Sequence, residues 1–200
     1  MSRTEAIGKM AGKKRSEAGG EPEEIRVSLP MSKETREELR AGDRLLLTGQ
    51  LITARDQAHA RLVGALEKGE PPPIRLKGET IYYAGPSPAP AGKPAGSVGP
   101  TTASRMDPYT PRLAAEKVAA FIGKGPRSPE VRRTLREHGS LYLVGVGGAA
   151  ALLGSRVRAM RAVAYEDLGP EAIYELEVED LPVIVGYDLA GGSVFSHLEA

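Results

Sequence analysis

The sequence contains no cysteine, no tryptophan and only two phenylalanines among its 200 residues. Without cysteine, disulfides, thiol nucleophiles and thiolate metal sites are excluded together. The three scattered histidines, His59, His138 and His197, do not form a metal-ligand spacing, so any metal this protein uses must be held mainly by another chain. With so few large aromatics, the core must be built from Leu, Val, Ile and Ala. Neither sign of charge dominates: 27 Lys+Arg stand against 26 Asp+Glu. Nothing in that balance points to nucleic acid, and no long run of one sign marks a solvating tail. No apolar stretch approaches the roughly 18 residues of a membrane span. The start, MSRTEAIGKMAGKKRSEAGGEPEE, lacks the apolar segment of a secretory signal. The expectation is a soluble, cytoplasmic protein with no nucleic-acid or membrane partner.

What is present fits one α/β domain with a leader and a tail. Residues 1–24 are polar and aperiodic and read as a disordered leader; 25–190 form the domain and 191–200 a C-terminal tail. IRVSLP (25–30) reads as a strand, followed by a short helix over KETREELRAG that stops at Gly42. LLLTGQLI (45–52) suits a strand buried on both faces. Thr53, with Asp56 three residues on, resembles a capping box and predicts a helix to about Lys68. TIYYAG (80–85) reads as a strand feeding the Pro/Gly-rich loop PSPAPAGKPAGSVGP. Thr110–Pro111 predicts a helix to about Ile122, ended by Gly123 in the left-handed conformation. Ser128–Pro129 opens a second helix, closed by Gly139. LYLVGVG, VRAMRAVAYED, IYELEVE and LPVIVGYD supply four further strand candidates.

Three segments carry chemistry-bearing residues. On the helix after Thr53, the 100° step places Arg55, His59, Leu62 and Leu66 on one stripe. An arginine near the positive end of a helix dipole is unfavourable unless an anion joins it. Either a bound carboxylate or a core Asp or Glu could meet that need. In GPTTASRMDPYTPR (99–112), Thr101 and Thr102 follow a Gly–Pro turn, and Arg105 lies four residues after Thr101; a turn cap is the alternative role for one threonine. In GKGPRSPE (123–130), Lys124 sits between glycines that permit close approach to an anion, although a solvated surface lysine has the same pattern. A fourth segment, with Gly145, Gly147 and Ala150 after a strand, matches G-x-G-x-x-A. The helix it would open ends at Gly154, too short for a dinucleotide crossover, so close packing accounts better for the glycines.

Together LITARDQAHARL (51–62), IYYAGPSPAP (81–90), GPTTASRMDPYTPRL (99–113), GKGPRSPEV (123–131) and VGGAAALL (146–153) resemble the β subunit of two-subunit class I fumarases. They also resemble the β subunit of tartrate dehydratases, and YEDLGPEAIYELEVEDLPVIVGYD (165–188) continues the likeness. The resemblance implies a single swivelling β/β/α domain of the α/β class, with mixed sheets and flanking helices. It implies a cysteine-bearing α subunit, in a heterodimer or heterotetramer, that holds a 4Fe-4S cluster, and a dicarboxylate substrate. It further implies that Arg55, Arg105 and Lys124 bind substrate carboxylates and that Thr101 is the catalytic base, with His59 in the same A-R-D-x-A-H string. Ser104 stands where many relatives are expected to carry Gly. Three readings follow: a subunit completing a fumarase or tartrate dehydratase active site, a non-catalytic assembly or regulatory subunit, and a dinucleotide-binding protein.

Overall fold

The computed structural model describes residues 24–146 and 148–198; the expected leader up to residue 23 and the last two residues of the tail lie outside the described residues. In chain order the elements are β1 (Glu24–Ser28), α1 (Lys33–Glu38), β2 (Arg44–Thr53), α2 (Asp56–Glu67), β3 (Thr80–Tyr82) and α3 (Thr110–Ala115). They continue with β4 (Ala120–Gly123), α4 (Pro129–His138), β5 (Leu141–Val144), α5 (Ala150–Ser155), β6 (Val157–Ala164) and β7 (Ile173–Tyr187). Short 3-10 turns lie at Ala103–Met106, Glu166–Glu171 and Ser196–Leu198.

The strands pair in the order β1-β2-β3-β4-β5-β7-β6, and β7 also pairs with β2. β1 to β5 run parallel, whereas β7 is antiparallel to β2, β5 and β6. The extra pairing closes β2, β3, β4, β5 and β7 into a ring. Because successive side chains on a strand point to opposite faces, the ring sorts its residues into two cores. Leu45, Leu47, Leu51, Tyr82, Ala120, Ile122, Leu141, Leu143, Leu176 and Val185 pack together on one face. Ile81, Tyr83, Phe121 and Tyr142 belong to the other, with Leu62 and Leu66 of α2, Leu113 of α3 and Val131 and Leu135 of α4. Burying one such Leu or Val is worth roughly 1.5–3 kcal/mol relative to exposure, which explains why strands covered on both faces read as unbroken apolar runs.

Several local expectations hold. Ser128 caps α4, its hydroxyl accepting from the Val131 N–H at 3.3 Å, and Gly139 ends the helix at φ 69°, where a Cβ would be strained. Others are corrected. Thr53 is not an N-cap: it is still in β2, paired with Tyr174, and its hydroxyl accepts from the Tyr174 N–H. α2 starts at Asp56, and Arg55 occupies the capping position without a side-chain cap. The helix expected to reach Ile122 ends at Ala115, because Lys117 turns at φ 65° and the Glu79 carbonyl takes the Ala119 N–H, feeding the chain into β4. Gly123 is therefore a strand residue, not a helix terminator. IYELEVE and LPVIVGYD form one continuous strand, β7, with an irregularity opposite Leu47 and Gly49. α1 is shorter than expected, since Leu39 is already extended.

Candidate active site at the carboxyl ends of the parallel strands

Crevices outside the carboxyl ends of parallel strands are where α/β sheets bind ligands, because strand ends and following turns converge there. Here β2 ends at Thr53 and leads to Arg55, β3 leads to Tyr83 and Gly85, β4 leads to Lys124, and β5 leads to Gly145. Thr101, distant in sequence from all of these, is fastened among them by its main chain. Its N–H donates to the Tyr83 carbonyl at 2.6 Å, and its carbonyl accepts from the Lys124 N–H at 3.1 Å. The Lys124 carbonyl in turn accepts from the Ala103 N–H at 2.9 Å, and Thr102 and Lys124 form a parallel bridge. Thr101 and Lys124 are thus held on adjacent extended segments.

Arg55, at the cap of α2, lies against Gly85, and Arg105, on the 3-10 turn, reaches Asp56 in the first turn of α2. The side chain of Arg55 is 28% exposed, and its Nε lies 3.4 Å from Oε1 of Glu171. The other Glu171 oxygen accepts from the Gln57 N–H at 3.0 Å, so the anion demanded at the start of α2 is supplied by the chain itself. Arg105 presents Nε and Nη2 to the two carboxylate oxygens of Asp56, at 3.0 and 2.7 Å. Among the described residues, no hydrogen bond engages any guanidinium nitrogen of Arg55, its buried Nε included, or Nη1 of Arg105, the Lys124 ammonium or the Thr101 hydroxyl. Thr102 lies at the cap of the 3-10 turn, but its side chain makes no cap hydrogen bond.

His59 is placed differently. Its ring has no exposed surface, packs edge-on against Tyr83 at 5.2 Å and lies 6.0 Å from Tyr109. Neither ring nitrogen has a hydrogen-bond partner. Burial drives its pKa down to about 4, so the imidazole is neutral near pH 7. His59 lies in the core, packed among aromatic rings.

Close approach around these residues depends on glycine. A Cβ on Gly85 would stand 2.7 Å from the Arg55 guanidinium carbon and 2.8 Å from the Pro170 carbonyl. One on Gly123 would meet Tyr83 at 2.8 Å and Ala103 at 2.9 Å. Gly145 packs against Pro100, where a Cβ would be 3.2 Å from the proline ring. It therefore backs the turn that carries Thr101.

Sequence reasoning missed the buried centre of this arrangement. Arg127, with no side-chain exposure, donates from Nε to Asp107 at 2.7 Å, from Nη1 to the Tyr83 hydroxyl at 3.2 Å and from Nη2 to the Thr110 hydroxyl at 2.6 Å. Tyr83 and Thr110 hydroxyls are 3.0 Å apart, and Thr110 donates onward to the Met106 carbonyl. The guanidinium also lies over the rings of Tyr83 and Tyr142, at 5.4 and 5.2 Å from their centroids. Tyr142 donates to the Gly125 carbonyl at 2.8 Å. The loop carrying Lys124 and the turn carrying Arg105 are thereby locked together. One signal was available in the sequence: seven tyrosines against two phenylalanines, an excess suited to rings that must also hydrogen-bond.

The anaerobic class I fumarate hydratase of Escherichia coli K12 is 41% identical over 186 residues, covering 90% of this chain but 34% of the relative. Fumarate hydratase 1, mitochondrial, of Leishmania major is 41% identical over 157 residues, covering 78% of this chain and 29% of the relative. The chain thus spans about a third of the curated fumarases it matches. A putative L(+)-tartrate dehydratase subunit beta of Methanocaldococcus jannaschii is 34% identical over 174 residues, covering 84% of this chain and 89% of the relative. With the Fumarase C-terminus family matching residues 3–198, this chain belongs to that family.

Proposed function

We propose that this chain is the β subunit of a class I fumarate hydratase, catalysing the reversible hydration of fumarate to (S)-malate in a site completed by an α subunit. What supports this reading is that the segments bearing Arg55, Thr101 and Lys124 follow the carboxyl ends of neighbouring parallel strands, with Arg105 paired to Asp56 beside Arg55 and cationic donors left without hydrogen bonds among the described residues. Guanidinium edges bind carboxylates in two-point fashion, and an ammonium adds a compact charge. Such a cradle would hold both carboxylates of a small diacid. Removing water from malate breaks the C–O bond at one carbon and takes a proton from the next, building negative charge that positioned cations stabilise. Thr101 would move that proton. A threonine hydroxyl is a weak base in water, so this role requires the neighbouring cations and a proton relay from the partner subunit.

The resemblance to class I enzymes brings with it a 4Fe-4S cluster, whose open iron would supply Lewis-acid chemistry. This chain does not fit as its holder: it has no cysteine, and among the described residues no group of three or more His, Asp or Glu could hold a metal ion. The cluster therefore falls to the α subunit. Among the described residues no helix is long and apolar enough to cross a membrane.

The purified chain is expected to be colourless and inactive. Anaerobic reconstitution with its α subunit should yield a brown complex with hydratase activity. A stoichiometric cluster on this chain alone, or full turnover without a partner, would overturn the reading. A second reading, the β subunit of an L(+)-tartrate dehydratase, is favoured by the near full-length match to a protein of that name. The ratio of kcat/KM for malate to that for L(+)-tartrate in the complex decides between them.

A further inference from the structure

Both arginines of the site lie beside a carboxylate, Arg105 through hydrogen bonds and Arg55 through an ion pair in which its buried Nε makes no hydrogen bond among the described residues. Asp56 takes Nε and Nη2 of Arg105 in a two-point contact, at 3.0 and 2.7 Å. Glu171 stands 3.4 Å from Nε of Arg55 and is itself anchored by the Gln57 N–H. Both carboxylates thus belong to, or are bonded to, the first turn of α2. A guanidinium has two edges able to grip a carboxylate, one through Nε and one terminal nitrogen, the other through both terminal nitrogens. In each residue the Nε side faces the protein's own carboxylate, and the Nη1–Nη2 edge is left open. Arg105 is otherwise poorly restrained, since its side chain is 55% exposed. Without Asp56, nothing else hydrogen-bonded to its guanidinium among the described residues would fix the plane of that group.

We propose that Asp56 and Glu171 are positioning residues that fix Arg105 and Arg55 with their terminal edges toward a substrate carboxylate, Asp56 being the stronger of the two. This inference rests on the reading of the cleft as a dicarboxylate site. The pairs have a second consequence. Three cations, Arg55, Arg105 and Lys124, face two protein carboxylates, so the cleft is far less positive than its arginines suggest. Affinity for a dianion then depends on the orientation of donors more than on bulk charge. Asp56 leaves the substrate untouched and acts through Arg105.

The test uses Asp56→Asn, which keeps the shape and removes the charge. In the reconstituted complex, KM for the dicarboxylate should rise roughly 2- to 5-fold, the effect expected of a partly exposed charged pair, with kcat little changed. In an Arg105→Gln background the same substitution should change nothing further, because two residues acting through one interaction are not additive. In nitrogen-15 NMR spectra of the full chain alone, the Arg105 Nε–H should be slow to exchange, and Asp56→Asn should make it fast. Glu171→Gln should act the same way on Arg55, with a smaller effect. Equal penalties of Asp56→Asn in both backgrounds, or an Arg105 Nε–H unaltered by it, would overturn the proposal. A lowered melting temperature with KM unchanged would reduce Asp56 to a structural residue and overturn it too. If the wild-type complex turns over no hydroxy-dicarboxylate, the functional reading fails, and the NMR measurement still decides whether Asp56 orders Arg105.

Discussion

Arg127, fully buried, and Asp107, partly exposed and twenty residues away, form an ion pair at 2.7 Å that ties the Lys124 loop to the turn bearing Arg105. Asp107 also accepts from the Ser128 N–H at 2.9 Å, so the same carboxylate holds the start of α4.

Breaking this pair from one side leaves Asp107, Tyr83 and Thr110 without their common donor. Loss of one member of a fully buried pair costs about 3–5 kcal/mol, and because Asp107 keeps some contact with solvent the loss here should be about 2–3 kcal/mol. Arg127→Met is expected to lower the denaturant midpoint accordingly. Tyr83→Phe, which removes both hydrogen bonds of that hydroxyl, to Arg127 and to Thr110, should cost about 1–2 kcal/mol. Urea unfolding of both variants checks the order; an Arg127→Met midpoint equal to wild type would show the pair to be energetically neutral.

The His59 imidazole has an ordinary pKa of 6.5 when unfolded and about 4 when folded. Between those values the unfolded chain binds a proton that the folded chain does not. Stability from this residue is complete above pH 6.5 and falls as pH drops toward 4, by about 3 kcal/mol in total. His59→Leu should remove this part of the acid sensitivity. The measurement is the difference in unfolding free energy between wild type and variant at pH 7 and at pH 4.5, and a constant difference would contradict the burial argument.

For Thr101, whose main chain is fixed by Tyr83 and Lys124, Thr101→Val preserves shape and removes the hydroxyl. Removing a positioned general base costs on the order of 10²–10⁴-fold in rate. In the complex that loss should fall on kcat with KM for malate little changed, and Thr101→Ser should recover part of it. Thr102→Val is the control: the Thr102 side chain caps nothing, so near-wild-type turnover is expected. Steady-state kinetics at equal cluster content would reveal an exchange of roles if Thr102→Val proved the slow variant.

At Gly85, an added methyl would push into the Arg55 guanidinium and the Pro170 carbonyl. Gly85→Ala should therefore displace Arg55 and raise KM for the dicarboxylate. Overpacking of this kind typically costs about 1–3 kcal/mol, and thermal unfolding beside kinetics separates lost stability from lost binding. Arg55→Lys keeps the charge without the fork, and should weaken substrate binding in the same direction. Unchanged KM and kcat in Arg55→Lys would leave Arg55 with only its pairing to Glu171.

The sequence by itself determined the parts governed by local chemistry. Ser128–Pro129 and Gly139 bounded α4 because capping and a left-handed glycine act within a few residues. The motifs around Arg55, Thr101, Arg105 and Lys124 were legible because each lies within a short string. The absence of cysteine excluded thiolate ligands from this chain. Tertiary structure alone decided the rest. Whether VAAFIG ended a helix or began β4 depended on Glu79 and Leu141, residues remote in sequence whose main chains complete the sheet. The merging of two expected strands into β7 depended on pairing with β2 across more than a hundred residues of chain. The partners of the cationic groups were equally hidden. Asp56 with Arg105, Glu171 with Arg55 and Asp107 with Arg127 are separated by spacings that no periodicity encodes. Charge pairing in a folded protein is set by which strand ends meet, and only closure of the ring brings those ends together.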